Sequence, residues 1–197
     1  MASSSPRRRR LLEQVGVPFE VDDPGEVETA SGRPKEQAVG NAVAKARKIA
    51  EQRGEGLVVG ADTVVVFKGK VFGKPEDTRD AKAMLRTLSG KVHTVITGLA
   101  VVDAASGRVE TDFVETLVHM RLLSDEEIAA YVATGEPFGK AGGYAIQGVG
   151  GLIVEEIRGC FYNVVGLPLS RLDSLLRGFG VQLLKGPKED RTHPEPV

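Results

Sequence analysis

The sequence predicts an α/β fold, because segments of strand composition alternate with segments of helical composition along most of its length. The clearest strand signal is the β-branched run "LVVGADTVVVF" at residues 57–67, and the clearest helical signal is the alanine-rich stretch at residues 35–53. The length of 197 residues suits one compact domain with a sizeable core. Because the polar, proline-rich end "KGPKEDRTHPEPV" has few apolar anchors, we expect a domain at residues 1–184 and a flexible tail at 185–197.

In the first half of the chain, capping residues and apolar spacing predict each element in turn. Ser5 and Pro6 suit the N-cap and first turn of a helix that ends at Gly16. "PFEV" then suits a short strand, and alanines spaced along one side predict the helix at residues 35–53. The strand at residues 57–67 returns through the turn "KGK" into "VFGKP", and "TRDAKAMLRTLSG" has the composition of a further helix.

In the second half, two long strands near "HTVITGLAVVDA" and "RVETDFVETLVHMRLL" are joined by "ASG" and predict a hairpin. "SDEE" at residues 124–127 is a capping box that opens a helix to about Ala133. Glycines crowd "GKAGGYAIQGVGG", where the backbone must bend sharply or approach another group closely. A strand "LIVEEI" and a helix from about Pro168 to Gly178 complete the domain.

The overall charge and composition exclude several classes of protein. Lysine and arginine number 26 against 27 acidic residues, so the net charge of -1 gives no general attraction for a polyanion such as nucleic acid. The basic start leads into the mixed sequence "LLEQVGVPFEVDD" rather than an apolar signal segment, and the longest apolar run is too short to span a bilayer. The single cysteine, Cys160, excludes an internal disulfide framework and fits a reducing cytosol. We therefore expect a soluble cytoplasmic protein.

The stretch "SSSPRRRR" at residues 3–10 has three alternative interpretations: a nucleic-acid or targeting patch, a solvated helix face, or a phosphate clamp. A helix that begins at the proline presents free N–H groups and a positive dipole end to an anion. Ser3 and Ser5 add hydroxyl donors and Arg7 adds a bidentate guanidinium, which together suit a phosphate. Because successive helical residues diverge by about 100°, one or two of the four arginines are expected to face the site. Arg9 and Arg10 are expected to face solvent or to pair with Glu13.

Asp62 is out of place in the apolar strand at residues 57–67, because an ionised carboxylate is costly to desolvate. We expect it at a strand break or cleft with a cation or metal as partner; the alternative is a hydrogen-bonded turn. The returning strand brings Lys74 back beside Asp62, although most lysines in turns are solvated. The three histidines have no metal-ligand spacing and are expected to be structural.

Further blocks occur in a recognisable order: "SSSPRR", "FEV" leading to Glu28, "AKA", "GADT", "GKP", "LSG" with His93 and "TG", "YVATGEPFGKAGGYAIQG" and "NVVGLPL". In these blocks the chain resembles the Maf family of nucleoside triphosphate pyrophosphatases, in the subgroup that acts on dTTP and UTP. "GADT" alone would be weak, but this many blocks in the family's order over roughly residues 3–178 make the resemblance specific.

The resemblance implies an elongated α/β fold, similar to that of inosine triphosphatases, with a central mixed β-sheet and a cleft between two lobes. It implies hydrolysis of a nucleoside triphosphate to the monophosphate and pyrophosphate, as housekeeping of the nucleotide pool. The implied cofactor is a divalent metal cation, Mg²⁺ or else Mn²⁺ or Co²⁺. The implied assembly is a homodimer, and the family has also been linked to septum formation.

Carried over residue by residue, the resemblance implies that Asp62 is the proton acceptor and that Glu28 is the acidic residue near the metal. It implies that Lys45 and Lys74 bind phosphate, and that Arg7, Thr63 and Gln147 mark the dTTP/UTP subgroup. Two departures from the family pattern are visible. Val27 stands where an acidic residue often precedes the glutamate, so the metal site is expected to hold one carboxylate fewer. Only Met1 and Ala2 precede the serines where family members have an apolar strand, which leaves the support of the phosphate cradle open.

The chemistry of the reaction agrees with these residue types. Attack of water on an α-phosphoryl group builds negative charge on phosphate oxygens, so the site needs cations and a base rather than a covalent nucleophile. Asp62 has two candidate roles, general base and metal ligand, and Gln147 can match both N3–H and O4 of uracil or thymine. Two alternatives remain open: a nucleic-acid-binding or cell-division regulatory protein that uses Arg7–Arg10, and a purine-specific or 7-methylguanosine-type enzyme of the same fold.

Overall fold

Five strands form one sheet at the centre of the computed structural model, which describes residues 1–27 and 30–184. The strands are β1 (Leu57–Phe67), β2 (Lys70–Phe72), β3 (Val92–Asp103), β4 (Val109–Met120) and β5 (Val154–Arg158). Their order is β2–β1–β3–β4–β5, and each pair of neighbours is antiparallel. Within the described residues, the parallel part of the predicted mixed sheet is limited to single bridges from Ala2 to Asp22 and to Gly60.

Six α-helices surround the sheet within the described part of the chain, and five of them follow the sequence prediction closely. The helices are α1 (Pro6–Val15), α2 (Pro34–Arg53), α3 (Thr78–Leu88), α4 (Asp125–Ala133), α5 (Phe161–Val165) and α6 (Leu169–Arg177). The predicted capping box of α4 is present, because the Ser124 hydroxyl accepts from the Glu127 N–H and the Glu127 carboxylate accepts from the Ser124 N–H. α5 was not predicted, because its five residues are too few to establish a helical period.

Helix α2 packs directly on β1 and β3 through its alanine-rich side. The small side chains let the helix backbone come close to the sheet, which is why a glycine is needed in the strand. A Cβ at Gly60 would lie 2.1 Å from the carbonyl oxygen of Ala42, a distance that no side chain tolerates. This close packing places the polar residues of α2 directly over the middle of β1.

The N-terminal segment supports the start of α1 through hydrogen bonds rather than as a full strand. The Ala2 N–H donates to the Val59 carbonyl at 2.8 Å, and the Ser3 N–H donates to the Asp22 carbonyl at 3.0 Å. The strand predicted over residues 18–21 was wrong, because within the described residues this segment forms only the single bridge between Asp22 and Ala2. Backbone hydrogen bonds to Val59 and Asp22 therefore support the start of α1, which the sequence had left open.

The middle of β1 lies at the junction of two apolar clusters and has one open edge. β1 contributes Ala61 to the cluster beneath α1 and α6, and Val65 to the cluster beneath α3 and α4. β3 pairs along one edge of β1, whereas on the other edge Ala2 meets Gly60 and β2 ends opposite Val65. Among the described residues, the strand edge between these two pairings has no partner, and the cavity of the molecule opens there. No helix in the described ranges combines the length and apolar character needed to cross a membrane.

Candidate active site

A cavity of about 680 Å³ lies at the open edge of β1, between the start of α1, α2, the segment after β2 and the glycine-rich loop. It brings together the described residues that the sequence singled out: Ser3, Ser5, Arg7, Lys45, Asp62, Thr63, Lys74 and Gln147. Glu28, the remaining predicted residue, lies outside the described residues. Residues separated by more than 140 positions in sequence therefore share one cavity wall.

Asp62 lies in the middle of β1 rather than at a strand break, and it faces α2. Its carboxylate forms an ion pair with Lys45 and accepts a hydrogen bond from the Asn41 side-chain amide at 3.0 Å. The side chains of Lys45 and Asp62 are 21% and 17% exposed, so both reach the cavity from a largely desolvated position. The expected cleft and cationic partner are both present, and the strand break is not.

Asn41 was not identified from the sequence. It precedes Lys45 by four residues, so the two side chains lie on the same face of α2 and hold the two oxygens of one carboxylate. The side-chain oxygen of Asn41 also accepts from the Ala30 N–H at 2.7 Å, which ties Asp62 to the segment that precedes α2. The only sequence signal was this helical spacing, which many helix residues share.

Arg8 is the second residue that the sequence prediction missed. Its guanidinium donates to the Gly166 carbonyl at 2.7 Å, to the Thr63 hydroxyl at 3.0 Å and to the Ser3 hydroxyl at 3.3 Å. Burial lowers the pKa of Arg8 to about 10, opposed by the nearby negative charge of Asp62, so the group is still a cation at neutral pH. No described carboxylate lies within ion-pair distance of it, which leaves a fixed cation on the cavity wall.

The other arginines separate as the helical geometry requires. Arg7 lines the cavity, where burial lowers its pKa and the nearby Tyr131 hydroxyl and Glu136 carboxylate oppose that shift. Arg9 pairs with Glu13 at 2.7 Å on an exposed face, and Arg10 is exposed. The prediction for the last two arginines is therefore confirmed, and both Arg7 and Arg8 line the cavity, within the expected one or two.

The first turn of α1 lies at the cavity wall. Ser5 is the N-cap, but its hydroxyl makes no capping hydrogen bond, and Pro6 has no N–H to offer. The Ser3 hydroxyl accepts from the Ser5 N–H at 3.2 Å, which holds the approach to the helix in place. Free backbone N–H groups at such a helix start attract anions.

A chain of hydroxyl groups orients Thr63. The Thr97 hydroxyl donates its one proton to the Asn163 carbonyl at 3.0 Å, so at its 2.9 Å contact with Thr63 it must accept. Thr63 therefore donates to Thr97 and accepts from Arg8. The position of the arginine is thus set by a buried polar network behind the cavity.

The glycine-rich loop forms a further part of the cavity wall. Two short 3₁₀ turns, Ala141–Gly143 and Gly148–Leu152, flank the exposed side chain of Gln147, which lines the cavity. Behind the loop, Tyr144 meets the buried His93, whose Nε2 lies 2.6 Å from the tyrosine hydroxyl. Burial lowers the pKa of His93 to about 4, so the ring is neutral and structural, as predicted.

The charge of the cavity differs sharply from that of the whole chain. Its described lining contains one carboxylate, Asp62, and five cationic side chains: Arg7, Arg8, Lys45, Lys74 and Lys140. Within the described ranges, no group of three or more histidine, cysteine, aspartate or glutamate side chains forms a preassembled metal site. A concentration of positive charge around one carboxylate suits a ligand that carries several negative charges.

Comparison with known proteins agrees with this arrangement. A family model described as Maf-like protein matches residues 1–179. A dTTP/UTP pyrophosphatase of Dictyoglomus turgidum is 48% identical over 187 residues, which are 93% of this chain and 97% of that protein. Proteins with the same description from Caldicellulosiruptor saccharolyticus and Pelotomaculum thermopropionicum are 44% and 48% identical, over 94% and 93% of this chain and 96% and 97% of their own lengths.

Proposed function

The chain belongs to the Maf family, and from that premise we propose that it hydrolyses dTTP and UTP to the nucleoside monophosphate and pyrophosphate. The observation that carries the proposal is the cavity with five cationic side chains around one carboxylate, in a chain whose net charge is -1. A triphosphate needs such a concentration of cations, because charge grows on the phosphate oxygens as the leaving pyrophosphate departs. The relatives described as dTTP/UTP pyrophosphatases support this assignment.

In this proposal the triphosphate lies along the open edge of β1. Arg7, Arg8 and the free N–H groups of α1 bind phosphate oxygens from one side, and Lys74 binds them from the other. Arg8 is held by the Gly166 carbonyl and by Thr63, so its remaining N–H donors are oriented before the substrate arrives. Preorganised donors of this kind stabilise a developing charge without reorganising during the reaction.

Asp62 is the proposed base that accepts a proton from the attacking water. Lys45 now neutralises the Asp62 carboxylate, but a bound triphosphate offers the lysine a second anionic partner. Asn41 holds the other carboxylate oxygen. It keeps the Asp62 carboxylate oriented while Lys45 contacts both that carboxylate and the phosphate. The alternative role of Asp62, as a metal ligand, uses the same carboxylate.

A divalent cation, Mg²⁺ or else Mn²⁺ or Co²⁺, belongs to the proposal, with Asp62 and Glu28 as the residues that would hold it. The donor chemistry fits, since Asp62 presents carboxylate oxygens to the cavity and Mg²⁺ commonly uses one or two carboxylates together with substrate phosphates. When bound, the cation would neutralise phosphate charge and polarise the phosphoryl group.

Gln147 is the proposed reader of the pyrimidine base. Its exposed amide carries one acceptor and two donors at the cavity wall, which match N3–H and O4 of uracil or thymine. Thr63 is proposed to act with Arg7 in selecting the substrate, and a homodimer in the cytoplasm is the assembly and location that we propose. The alternative of a nucleic-acid or division-regulating protein needs Arg7–Arg10 as one surface, but these arginines point to different sides of α1.

The test is a panel of UTP, dTTP, CTP, ATP and GTP with analysis of the products. We expect UTP and dTTP to yield the monophosphate and pyrophosphate within about tenfold of each other in kcat/KM, because one methyl group in an apolar pocket is worth on the order of 1 kcal/mol. Release of inorganic phosphate with a diphosphate product would contradict a pyrophosphatase. Efficient hydrolysis of GTP or ATP would favour the purine-specific alternative, and salt-sensitive DNA binding without hydrolysis would favour the regulatory one.

A further inference from the structure

One carboxylate outside the cavity lining holds the loop that carries Gln147. Glu136, which follows α4, accepts hydrogen bonds from the N–H groups of Val149 and Gly150 at 3.0 and 2.8 Å. Its Oε1 also accepts from the hydroxyl of Tyr131 at 2.8 Å. Three donors converge on this carboxylate, whose two oxygens are both acceptors.

Tyr131, which donates to Glu136, holds the other end of the loop. The Tyr131 hydroxyl accepts from the Ala145 N–H at 3.1 Å, so Tyr131 and Glu136 together contact the backbone before and after Gln147. A Cβ at Gly148 would lie 2.6 Å from Oε2 of Glu136, and Gly148 has a φ of 67°, which non-glycine residues rarely adopt. The loop is thus closely fitted to the carboxylate that receives its N–H groups.

We infer that Glu136 is a positioning residue that fixes Gln147 at the cavity wall and thereby sets the affinity for the pyrimidine base. The inference rests on the proposed function, because it explains how the proposed base reader is held. Glu136 does not line the cavity itself, so it acts through the loop. The donors proposed for the phosphates, which are Arg7, Arg8, Lys74 and the N–H groups of α1, lie outside this loop.

The conservative substitution Glu136→Gln breaks the arrangement with little change in size. Whichever way the new amide is turned, its NH₂ group replaces one of the two oxygens and faces a backbone N–H group. One of the two loop N–H groups then loses its acceptor and meets another donor. Tyr131→Phe removes the hydroxyl that links Glu136 to Ala145, and it gives a second variant with the glutamate intact.

The experiment measures kcat and KM for UTP, the Kd of UMP by calorimetry and the inhibition constant of inorganic tripolyphosphate, which has no base. We expect Glu136→Gln and Tyr131→Phe to raise the KM for UTP and the Kd of UMP about tenfold, as an unsatisfied polar group commonly does. The kcat for UTP is expected to stay within about threefold, and the inhibition constant of tripolyphosphate is not expected to rise. Glu51→Gln, on the exposed surface of α2, is the matched control and should change none of these values.

The outcomes separate this inference from the proposed function. A wild-type protein that releases no pyrophosphate from UTP contradicts the proposed function, whereas the UMP measurements still decide the role of Glu136. An unchanged Kd of UMP in both variants overturns the inference, as does a wild-type protein that does not bind UMP. A parallel rise in the constants for UMP and tripolyphosphate also overturns it, because general loss of structure would weaken both ligands equally.

Discussion

Asp62 and Thr63 are neighbours in β1, yet their side chains reach the same cavity from opposite faces of the sheet. Asp62 contacts Lys45 on α2, whereas Thr63 contacts Arg8 on α1. Alternating side chains of a strand normally serve separate faces, and the open edge of β1 is what lets both of these enter one space. The acid–base part and the phosphate-binding part of the proposed site are therefore joined through a single peptide unit.

The first prediction concerns Asp62 as the proposed base. We expect Asp62→Asn to keep the fold and to lower kcat for UTP by about 10²-fold to 10⁴-fold, the range for loss of a general base. The measurement is steady-state release of pyrophosphate, with circular dichroism to confirm the fold.

Asp112→Asn is the matched control for this substitution. Asp112 also lies on a strand and pairs with an arginine, Arg171, at 3.1 Å, but it is not in the cavity wall. We expect the control to keep nearly full turnover. A folded Asp62→Asn protein with wild-type turnover would remove Asp62 from the mechanism.

The second prediction separates the arginines of α1. Arg8→Lys keeps the charge but cannot reproduce the planar set of donors that reaches both Gly166 and Thr63. We expect kcat/KM for UTP to fall at least about tenfold, since hydrogen bonds of charged groups are worth about 1.5–3 kcal/mol. Arg10→Lys, at an exposed position of the same helix, is the control and should behave as wild type. Equal losses at the two positions would indicate a diffuse basic surface instead of a clamp.

The third prediction concerns the divalent cation. We expect a chelator to abolish turnover of UTP and added Mg²⁺ to restore it, because neutralised phosphate charge is part of the proposed chemistry. The thermal unfolding temperature without substrate is expected to be the same with and without chelator, since Mg²⁺ commonly relies on substrate phosphates in addition to one or two carboxylates. Full turnover in excess chelator would contradict the proposed cofactor.

Several parts of this site were predictable from the sequence because their chemistry is unusual for their position. Asp62 interrupts an apolar strand. The segment with the serines, the proline and Arg7 predicts a helix start that attracts anions. Asn41, Arg8 and Glu136 were missed for a different physical reason. Asn41 and Glu136 are ordinary polar residues of a helix and a loop, and Arg8 is one of four consecutive arginines, so only the tertiary packing selects them as the residues that point inward. The same limit applies to α5, whose five residues owe their helical form to their surroundings rather than to a periodic pattern.

The fourth prediction concerns the stability contributed by the buried His93, which is 2% exposed. Its pKa is lowered by burial from 6.5 to about 4, so the folded protein keeps the ring neutral where the unfolded chain protonates it. Above about pH 6.5 neither state is charged and pH has no effect through this residue. As the pH falls from 6.5 towards 4, the unfolded state gains a proton and the folded state does not, so stability is lost in that interval.

The measurement compares the free energy of unfolding at pH 7.5 and pH 5.0 in wild type and in His93→Gln. We expect wild type to lose about 2 kcal/mol more than the variant over this interval, as the lowered pKa requires. Other acid-sensitive groups cancel in the comparison because both proteins contain them. An identical pH dependence in the two proteins would mean that His93 titrates normally in the folded state.

The last prediction concerns recognition of the base by Gln147. Gln147→Glu replaces the amide donor, which is proposed to meet O4 of uracil or thymine, by a carboxylate that faces that carbonyl oxygen. A lost or mismatched polar contact in a closed site commonly costs about 1–3 kcal/mol, so kcat/KM for UTP and dTTP should fall roughly 5-fold to 150-fold. Gln52→Glu on the exposed end of α2 makes the same chemical change away from the cavity and should leave both values unchanged. Because cytosine carries an amino donor where uracil carries O4, the new carboxylate should lower kcat/KM for CTP less than for UTP. The ratio of kcat/KM for UTP to that for CTP should therefore fall. An unchanged ratio of UTP to CTP turnover in Gln147→Glu would assign Gln147 to packing of the loop and place base recognition elsewhere in the cavity.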